Sequence, residues 1–268
     1  MFAYRSKAAS SVLRRYPLMR TTTVLEANAN EGRRNEPRLP AGPIRLSIVV
    51  PARNEEDGIC DTLALLQPLR AAGHEVIVVD GGSHDATATL AVAAADRVLT
   101  ASPGRACQMN AGANVASGDV LLFVHADCVL PGNAADEICS AIHHGHWWGR
   151  FDVTIVGRPR ILKLVAFMMN LRSRLTGIAT GDQGIFVQRA LFVRVGGYAA
   201  LPLLEDVALS KTLKRIAGPP ACLKARIRTS GRRWETGGAW RTIVTMWRLR
   251  LAFAFGADPG KLARQYDS

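Results

Sequence analysis

The stretch LSIVVPARNEE, residues 46–56, joins an apolar run directly to a polar segment. The run LSIVVP shows no alternation of apolar and polar residues, which predicts a short strand buried on both faces. Three further runs follow along the chain: EVIVVD (75–80), RVLT (97–100) and DVLLFVHA (119–126). Helical patterns separate them, over about 55–71, 85–94 and 104–116. Strands that alternate with helices in this way predict an α/β fold with a mostly parallel sheet covered by helices on both faces.

The second half of the chain is less regular, and we expect it to continue the same domain as far as residue 268. Strand character is found in HWWGRFDVTIVG (146–157), GIFVQ (184–188) and ACLKARIRTS (221–230). Helical character is found in ILKLVAFMMNLRSRL (161–175), RALFVRVGGY (189–198), LEDVALSKTLKRI (204–216) and TIVTMWRLRLAFAF (242–255). The last of these is either amphipathic or buried.

Charge is distributed unevenly along the chain, whose net charge is +12. Residues 1–45 contain 9 basic and 3 acidic side chains, residues 46–149 contain 4 and 12, and residues 150–268 contain 21 and 7. A nucleic-acid binder would be basic throughout, so we expect no nucleic-acid partner. An acidic half suits a metal ion or ligand hydroxyl groups, whereas a basic half suits phosphate or an anionic surface.

Composition also restricts the compartment. The five cysteines are odd in number and form no CxxC pair, which indicates a reducing, cytoplasmic environment without a disulfide framework or a zinc knuckle. No apolar run approaches the roughly 20 residues that a membrane-spanning helix needs.

Residues 1–45 are expected to form a basic, low-structure extension. Up to Leu25 the segment has the composition of an organellar transit peptide, and a disordered basic tail or an overlong start site are the alternatives. NANEGRRNEPRLPAGP then continues as a linker without periodicity, so the domain is expected to begin at Leu46.

Small and polar residues follow three of the predicted strands: PARNEE (51–56), DGGSHDAT (80–87) and HAD (125–127). Ligands of α/β sheets bind beyond the carboxyl ends of such strands. Asp80 can accept hydrogen bonds from a ribose or a base, and Asp127 can bind a divalent cation. On a strand, His125 and Asp127 would point to the same face. DGGSHD could also be a simple helix-start turn, and no dinucleotide-binding G-x-G-x-x-G follows the first strand.

PARNEE, VIVVDGGSHDAT and GRACQMNAGANVASGDVLLFVHAD, in this order, resemble the family 2 glycosyltransferases of the GT-A fold, over about residues 46–240. The resemblance implies a nucleotide-sugar-binding half, 46–130, and an acceptor half with C-terminal helices, 131–268. It also implies that the nucleotide of a sugar donor contacts Pro51, Arg53, Asn54, Glu55, Asp80, Gly81, Ser83, Arg105 and Asn110.

HAD stands where this family has Asp-x-Asp, with His125 in place of the first Asp. The resemblance implies that Asp127 holds a divalent cation, Mn²⁺ or Mg²⁺, on the donor diphosphate. Imidazole is a better neighbour for Mn²⁺ than for Mg²⁺. The alternative for His125 is a core-edge residue that hydrogen-bonds a backbone group.

Three segments of the second half resemble the acceptor side of the family. GDQGIFVQRALFVRVGGY (181–198) implies acceptor or diphosphate contacts from Gly181, Asp182 and Gln183. LLEDVALS (203–210) implies that Asp206 is the base of an inverting transfer, with Glu205 adjacent. TSGRRWETGG (229–238) implies diphosphate contacts from Arg232, Arg233 and Trp234. Without the upstream motifs, the acidic pair could simply stabilise a helix N-terminus through the helix dipole. The arginines could simply be exposed, solvated charges.

Together with NLRSRLTGIATGDQGIF and FGADPGKLARQY, these motifs most resemble the rSAM/selenodomain-associated transferase 2, or arsenosugar-biosynthesis glycosyltransferase, subgroup. The resemblance implies metal-assisted, inverting transfer from a nucleoside-diphosphate sugar to a small-molecule or lipid-linked acceptor, in the cytoplasm or peripherally at the inner face of the membrane.

Two alternatives remain open. One is a nucleotidyltransferase of similar fold, although PARNEE lacks the glycines expected after its first strand. The other is a non-catalytic protein that binds anionic membranes through the amphipathic stretch Trp240–Phe255.

Overall fold

Eight strands of the described chain form one sheet in the order β3-β2-β1-β4-β7-β6-β8-β5. Their bounds are β1 Leu46–Ala52, β2 Glu75–Asp80, β3 Arg97–Thr100, β4 Val120–Phe123, β5 Cys128–Val129, β6 Trp148–Val156, β7 Ile185–Gln188 and β8 Ala221–Ser230. The first four strands are parallel, β7 runs antiparallel to β4 and β6, and β8 is parallel to β6. The prediction of an α/β fold with a mostly parallel sheet is therefore confirmed.

The computed structural model describes residues 42–267, which all belong to one compact unit. Within that range the side chains of residues 233, 236, 237, 239, 240, 254 and 264–267 are outside the description. Most of the predicted extension, residues 1–41, also lies outside it. Ile44 is buried, and the amide of Arg45 donates a hydrogen bond to the carboxylate of Asp119 at 2.9 Å. Residues 44 and 45 therefore pack with the domain.

Ten α-helices accompany the sheet in the described residues. They are α1 Ile59–Ala71, α2 Thr87–Ala91, α3 Arg105–Val115, α4 Ala134–His143, α5 Ile161–Thr176, α6 Arg189–Arg194, α7 Glu205–Ala217, α8 Arg232–Gly237, α9 Ala239–Ala254 and α10 Pro259–Asp267. In the part of the chain that the structure describes, each helix is too short or too polar to span a lipid bilayer.

Both faces of the central strands are buried, which explains their unbroken apolar runs. Ile48 and Val50 of β1 lie in one hydrophobic cluster with side chains of α1, α4 and α5. Val49, between them, lies in a second cluster with side chains of α3, α6 and α7. Neighbouring residues of a strand point to opposite faces, so a strand covered on both sides needs apolar residues at every position.

A third hydrophobic cluster attaches the C-terminal helices to the start of α7. Leu203, Leu204 and Val207 surround the position at which α7 begins, and Leu249 of α9 and Leu262 of α10 pack against them. The cluster therefore fixes α9 beside the acidic residues that open α7.

The fourth strand is shorter than predicted. β4 ends at Phe123, and His125 and Asp127 lie in a turn between β4 and β5. In this turn the amide of Cys128 donates to the carbonyl of His125, and the hydroxyl of Thr62 on α1 donates to the carbonyl of Ala126. The prediction that the strand continues to Ala126 was wrong. The carbonyls of His125 and Ala126 accept hydrogen bonds from within the turn and from α1, instead of from a neighbouring strand.

Candidate functional site

The carboxyl end of β2 is organised by Asp80, which is almost fully buried. Its carboxylate accepts hydrogen bonds from the amides of Gly82 and Ser83, each at 3.0 Å, and from the hydroxyl of Ser83. The residues predicted to meet a nucleoside thus form a tight turn around one buried carboxylate.

The same turn is held against β1 by Asn54, whose φ of 53° lies in the left-handed region. Its side-chain oxygen accepts a hydrogen bond from the amide of His84, and its own amide donates to the hydroxyl of Ser83, both at 2.9 Å. Asn tolerates this conformation better than most residues. Pro51 is buried within β1, and Arg53 is exposed at its end.

Gln108 of α3 is a site residue that the sequence analysis missed. Its amide donates to the carbonyls of Ala52 (2.9 Å) and Val79 (2.8 Å), bridging the ends of β1 and β2. A Cβ atom at Gly81 would lie 2.8 Å from Cδ of Gln108, so any larger residue there would displace this side chain from its two hydrogen bonds. The available signal was a glutamine among the buried positions of an apolar helix face.

His125, Asp127 and Cys128 form a group of metal-ligating residues among the described side chains, with their ligand atoms within 4.8 Å of one another. Asp127 is exposed and Cys128 is buried. Burial, and then the charges of Asp127 and Asp182, raise the pKa of the Cys128 thiol well above its usual range. A protonated thiol is a poor ligand, so Asp127 is the member that fits Mn²⁺ or Mg²⁺, and the imidazole of His125 suits Mn²⁺ better than Mg²⁺.

His125 joins this turn to the acceptor-side segment. Its Nδ1 atom lies 3.4 Å from Oδ1 of Asp182, so its partner is a side chain and not the backbone group of the alternative prediction. A Cβ atom at Gly181 would lie 2.5 Å from Nε2 of His125, so the imidazole packs directly against the chain at Gly181.

The carboxylate of Asp182 remains 46% exposed in spite of this contact. Burial raises its pKa, but the hydrogen bond to His125 and the charges of His125, Arg105 and Arg250 outweigh that effect and lower it. The site therefore holds an ionised carboxylate beside the imidazole.

Glu205 and Asp206 open α7 next to the same turn. Asp206 accepts hydrogen bonds from the amide of Gly181 at 2.9 Å and from that of Val207 at 2.6 Å. Glu205 is 6% exposed, and burial and then the charge of Asp206 raise the pKa of its carboxyl. Burial, and then the charges of Asp206 and Glu205, raise the pKa of the Tyr198 hydroxyl well above its usual range.

The raised pKa of Glu205 predicts a pH dependence of stability. Because the native state keeps a proton that the unfolded state loses above 4.5, the unfolding free energy falls as pH rises from 4.5 through the native pKa. The loss is about 1.4 kcal/mol for each pH unit between the two values. Glu205→Gln removes it, so the difference in melting temperature between variant and wild type should grow in favour of the variant with pH. Parallel melting curves from pH 4.5 to 8 would contradict the assignment.

Two of the predicted site residues have their polar atoms occupied within the protein. The amide of Asn110 both accepts from and donates to the backbone of Tyr198, at 2.9 Å in each direction. Gln183 is fully buried, accepts a hydrogen bond from the amide of Thr180 at 3.1 Å, and contacts Asn170. These bonds fasten loops, and the ligand contacts expected of Asn110 and Gln183 stay predictions.

Helix α8 returns the chain to the end of β1. Nη2 of Arg232 lies 3.5 Å from the carboxylate of Glu55, and Trp234 packs against the cluster that contains α1. The side chain of Arg233 is outside the described residues. The structure thus brings Arg232 to the predicted nucleotide side, and Arg105 acts electrostatically on Asp182 and Glu205.

Sequence comparison identifies relatives that match much of the chain. The family model of Glycosyl transferase family 2 matches residues 47–193, more than half of the 268 residues. The undecaprenyl-phosphate 4-deoxy-4-formamido-L-arabinose transferase of Yersinia enterocolitica is 27% identical over 163 residues, which cover 54% of this chain and 48% of that protein. The chain thus spans about half the length of the curated relatives it matches.

Solved structures show the same fold. S. aureus TarS 1-349 in complex with UDP-GlcNAc matches with a TM-score of 0.57 and 19% identity, covering 70% of this chain and 58% of that one. The mannosyltransferase PcManGT of Pyrobaculum calidifontis, in complex with GDP-Man and Mn²⁺, matches with a TM-score of 0.56 and 22% identity, covering 80% and 62%. The fold is similar to that of the GT-A glycosyltransferases, as the sequence predicts.

Proposed function

The chain belongs to glycosyl transferase family 2, and from this premise we propose that it transfers a sugar from a nucleoside-diphosphate sugar to an acceptor, with inversion and with a divalent cation. One observation carries the proposal: Asp127, the His125–Asp182 pair and Asp206 meet around a single turn at Gly181. The finer resemblance to the arsenosugar-biosynthesis subgroup stays a prediction.

The donor nucleotide is assigned to the carboxyl ends of β1 and β2, which belong to the proposed donor half, 46–130. The residues proposed to meet it are Pro51, Arg53, Asn54, Glu55, Asp80, Gly81 and Ser83. Open α/β sheets bind ligands beyond these strand ends. The TarS and PcManGT structures contain UDP-GlcNAc and GDP-Man, which supports a nucleoside-diphosphate sugar as the donor here.

A divalent cation would be held by Asp127, with His125 beside it. Such a cation neutralises the charge that develops on a departing diphosphate. The exposed carboxylate of Asp127 and the Mn²⁺ in the PcManGT structure support this assignment. Arg105, Arg232 and Arg233 are proposed to add positive charge on the donor side, where guanidinium groups stabilise phosphate oxygens.

Asp206 is proposed as the base that takes the proton of the attacking acceptor group. Its carboxylate is fixed by the amides of Gly181 and Val207, so its position is defined before a substrate binds. Glu205 is the less suited of the two, because its raised pKa favours the protonated form. Both carboxyls belong to the proposed acceptor half, 131–268.

Product analysis tests the reaction type. With Mn²⁺ and a panel of nucleoside-diphosphate sugars, we expect release of a nucleoside diphosphate and a glycoside of inverted anomeric configuration. In a parallel assay with nucleoside triphosphates and sugar 1-phosphates, release of pyrophosphate would instead identify the rival nucleotidyltransferase. In the first assay, a retained configuration would exclude Asp206 as base in a single displacement.

We also propose that the enzyme contacts an anionic membrane peripherally, at the cytoplasmic face. Two helices expose apolar stripes at helical spacing. These are Leu164, Phe167, Met168, Leu171 and Leu175 on α5, and Val244, Trp247, Leu251 and Phe255 at α9. Exposed Arg241 and Arg248 lie on the same helix as the second stripe, as in interfacial amphipathic helices. The lipid phosphate named in the Yersinia relative supports a lipid-linked acceptor.

Vesicle sedimentation tests this contact. The double variant Trp247→Glu/Leu251→Glu should bind vesicles of anionic lipid at least about tenfold more weakly, because burying either side chain contributes about 2 kcal/mol. Val92→Glu, at another exposed apolar residue, is the matched control. Equal binding of both variants and wild type, or no binding at low and high salt, would contradict the membrane role.

A further inference from the structure

Two arginines near Asp206 have buried guanidinium nitrogens without hydrogen-bond partners. Among the described residues, the buried side-chain nitrogen and oxygen atoms that lack a partner are Nε and Nη2 of Arg172 and Nε of Arg250. Burying a charged group without partners is costly, so such groups are normally paired. From the sequence, Arg172 was not singled out, and Arg250 was considered only as part of the amphipathic stretch Trp240–Phe255.

Arg150 shows how a buried arginine is normally paired. Arg150 is fully buried, and its guanidinium donates to the hydroxyl of Ser173 at 3.0 Å, to the carbonyl of Phe151 at 3.2 Å and to the carboxylate of Asp152. Asp152 also accepts two hydrogen bonds from Arg174, at 2.7 and 2.9 Å. The charge of Asp152 is therefore shared by two arginines, which leaves it little capacity to neutralise a third.

Both unpartnered groups are carried by elements that are held in place. Beside Arg172 on α5, the amide of Asn170 pairs with both backbone groups of Val153 on β6, at 2.9 and 3.0 Å. Beside Arg250 on α9, Leu249 is buried in the cluster that contains Val207. The helix segment that carries Arg172 is therefore fixed to β6, and the segment that carries Arg250 is fixed beside the start of α7.

Arg250 directly follows Leu249, which packs in one cluster with Val207, the residue after Asp206. The charges of Arg250 and Asp206 both act on Arg172. Burial, and then the charge of Arg250, lower the pKa of Arg172 to about 10, whereas the charge of Asp206 raises it. Arg250 also helps to lower the pKa of Asp182. Two cations thus act on the acidic residues of the site, and three of their buried nitrogens have no hydrogen-bond partner among the described residues.

We propose that Arg172 and Arg250 form a subsite for a phosphate group of the acceptor, beside Asp206. A phosphate monoester carries nearly two negative charges at neutral pH, which matches two guanidinium groups, and its oxygens accept the forked hydrogen bonds that arginine offers. The inference rests on the proposed glycosyl transfer and names the class of its acceptor. The phosphate could belong to a soluble phosphate ester or to a lipid phosphate.

Calorimetric titration of the full chain with inorganic phosphate tests the subsite. Arg172→Gln and Arg250→Gln should each weaken phosphate binding by at least about tenfold, since each removes a cation and its charge-assisted hydrogen bonds to the phosphate. Arg215→Gln, at an exposed arginine of α7, is the matched control and should leave it unchanged. Unchanged affinity in both subsite variants would overturn the proposal.

A second titration separates this subsite from the donor site. Phosphate should still bind when a nucleoside diphosphate and Mn²⁺ are saturating, and both subsite variants should keep the nucleotide binding of wild type. Displacement of phosphate by the nucleotide would overturn the proposal, because the arginines would then belong to the donor diphosphate. Phosphate binding without any nucleotide binding would count against the proposed transferase function alone.

Two further measurements complete the test. In phosphate-free buffer, Arg172→Gln should melt at or above the wild-type temperature, because it removes an unpartnered buried charge; a lower temperature would indicate a structural role instead. Competition by glycerol 3-phosphate and by monomeric decyl phosphate distinguishes the two sources. Tighter binding of decyl phosphate indicates a lipid phosphate, comparable or weaker binding indicates a soluble ester, and binding of neither overturns the proposal.

Discussion

Asp206→Asn should lower the rate of sugar transfer by about 10²- to 10⁴-fold, the usual contribution of a positioned general base. Asparagine keeps the shape of the side chain, and its oxygen can still accept the hydrogen bond from the amide of Gly181. It cannot accept a proton from the acceptor. The measurement is kcat with the donor and acceptor found by product analysis, together with the affinity of the nucleoside diphosphate, which should stay near the wild-type value.

Glu205→Gln is the matched comparison for this prediction. Because the raised pKa of Glu205 favours its neutral form, glutamine resembles the native state and we expect a loss far smaller than that of Asp206→Asn. An equal loss in both variants would mean that the two carboxyls act as a unit that shares one proton. Loss of nucleotide binding in Asp206→Asn would instead move Asp206 into the donor site.

Asp127→Ala should abolish the metal-dependent stabilisation of the protein by its donor nucleotide. For wild type, a nucleoside diphosphate with Mn²⁺ at 100 times its dissociation constant adds about 2.7 kcal/mol of stability. For a domain of this size that corresponds to a rise of about 5–10 °C in melting temperature. We expect the rise with one nucleotide, only when Mn²⁺ is present, and none in Asp127→Ala.

Asp61→Asn, at an exposed acidic residue of α1, controls for the loss of a carboxylate and should keep the full rise. A rise in Asp127→Ala equal to that of wild type would remove Asp127 from the metal site. No rise with any nucleotide in wild type would contradict the donor site itself, and the binding of anionic surfaces would then become the better interpretation.

The strands were predictable where burial leaves a simple pattern. β1 and β2 are covered on both faces, so their apolar runs mark them directly. The end of β4 was not predictable, because it depends on the hydroxyl of Thr62, which lies 64 residues from Ala126 in sequence. The first helix begins at Ile59 and not near Glu55, whose amide is bound by the hydroxyl of Thr87. Such competing side-chain bonds leave no periodic signal.

The candidate site, too, was predictable from the sequence only in part. Motif order predicted which segments matter, but not that the His125 imidazole would face Asp182, since that contact joins two turns distant in sequence. The motif also gave no sign that the side chain of Asn110 bonds the backbone of Tyr198, 88 residues away in sequence. Gln108 and Arg172 were missed because a polar residue in a helix pattern is ordinarily interpreted as solvent-facing.

The contact between His125 and Gly181 also restricts how this protein can evolve. Any side chain at position 181 would overlap the imidazole, so a substitution there requires a smaller or differently placed residue at position 125 in the same lineage. An aspartate at 125, as in the usual Asp-x-Asp of the family, would release the restriction. Aligned relatives with histidine at position 125 should therefore have glycine at position 181. Relatives with aspartate at position 125 should show a wider choice of residues at position 181.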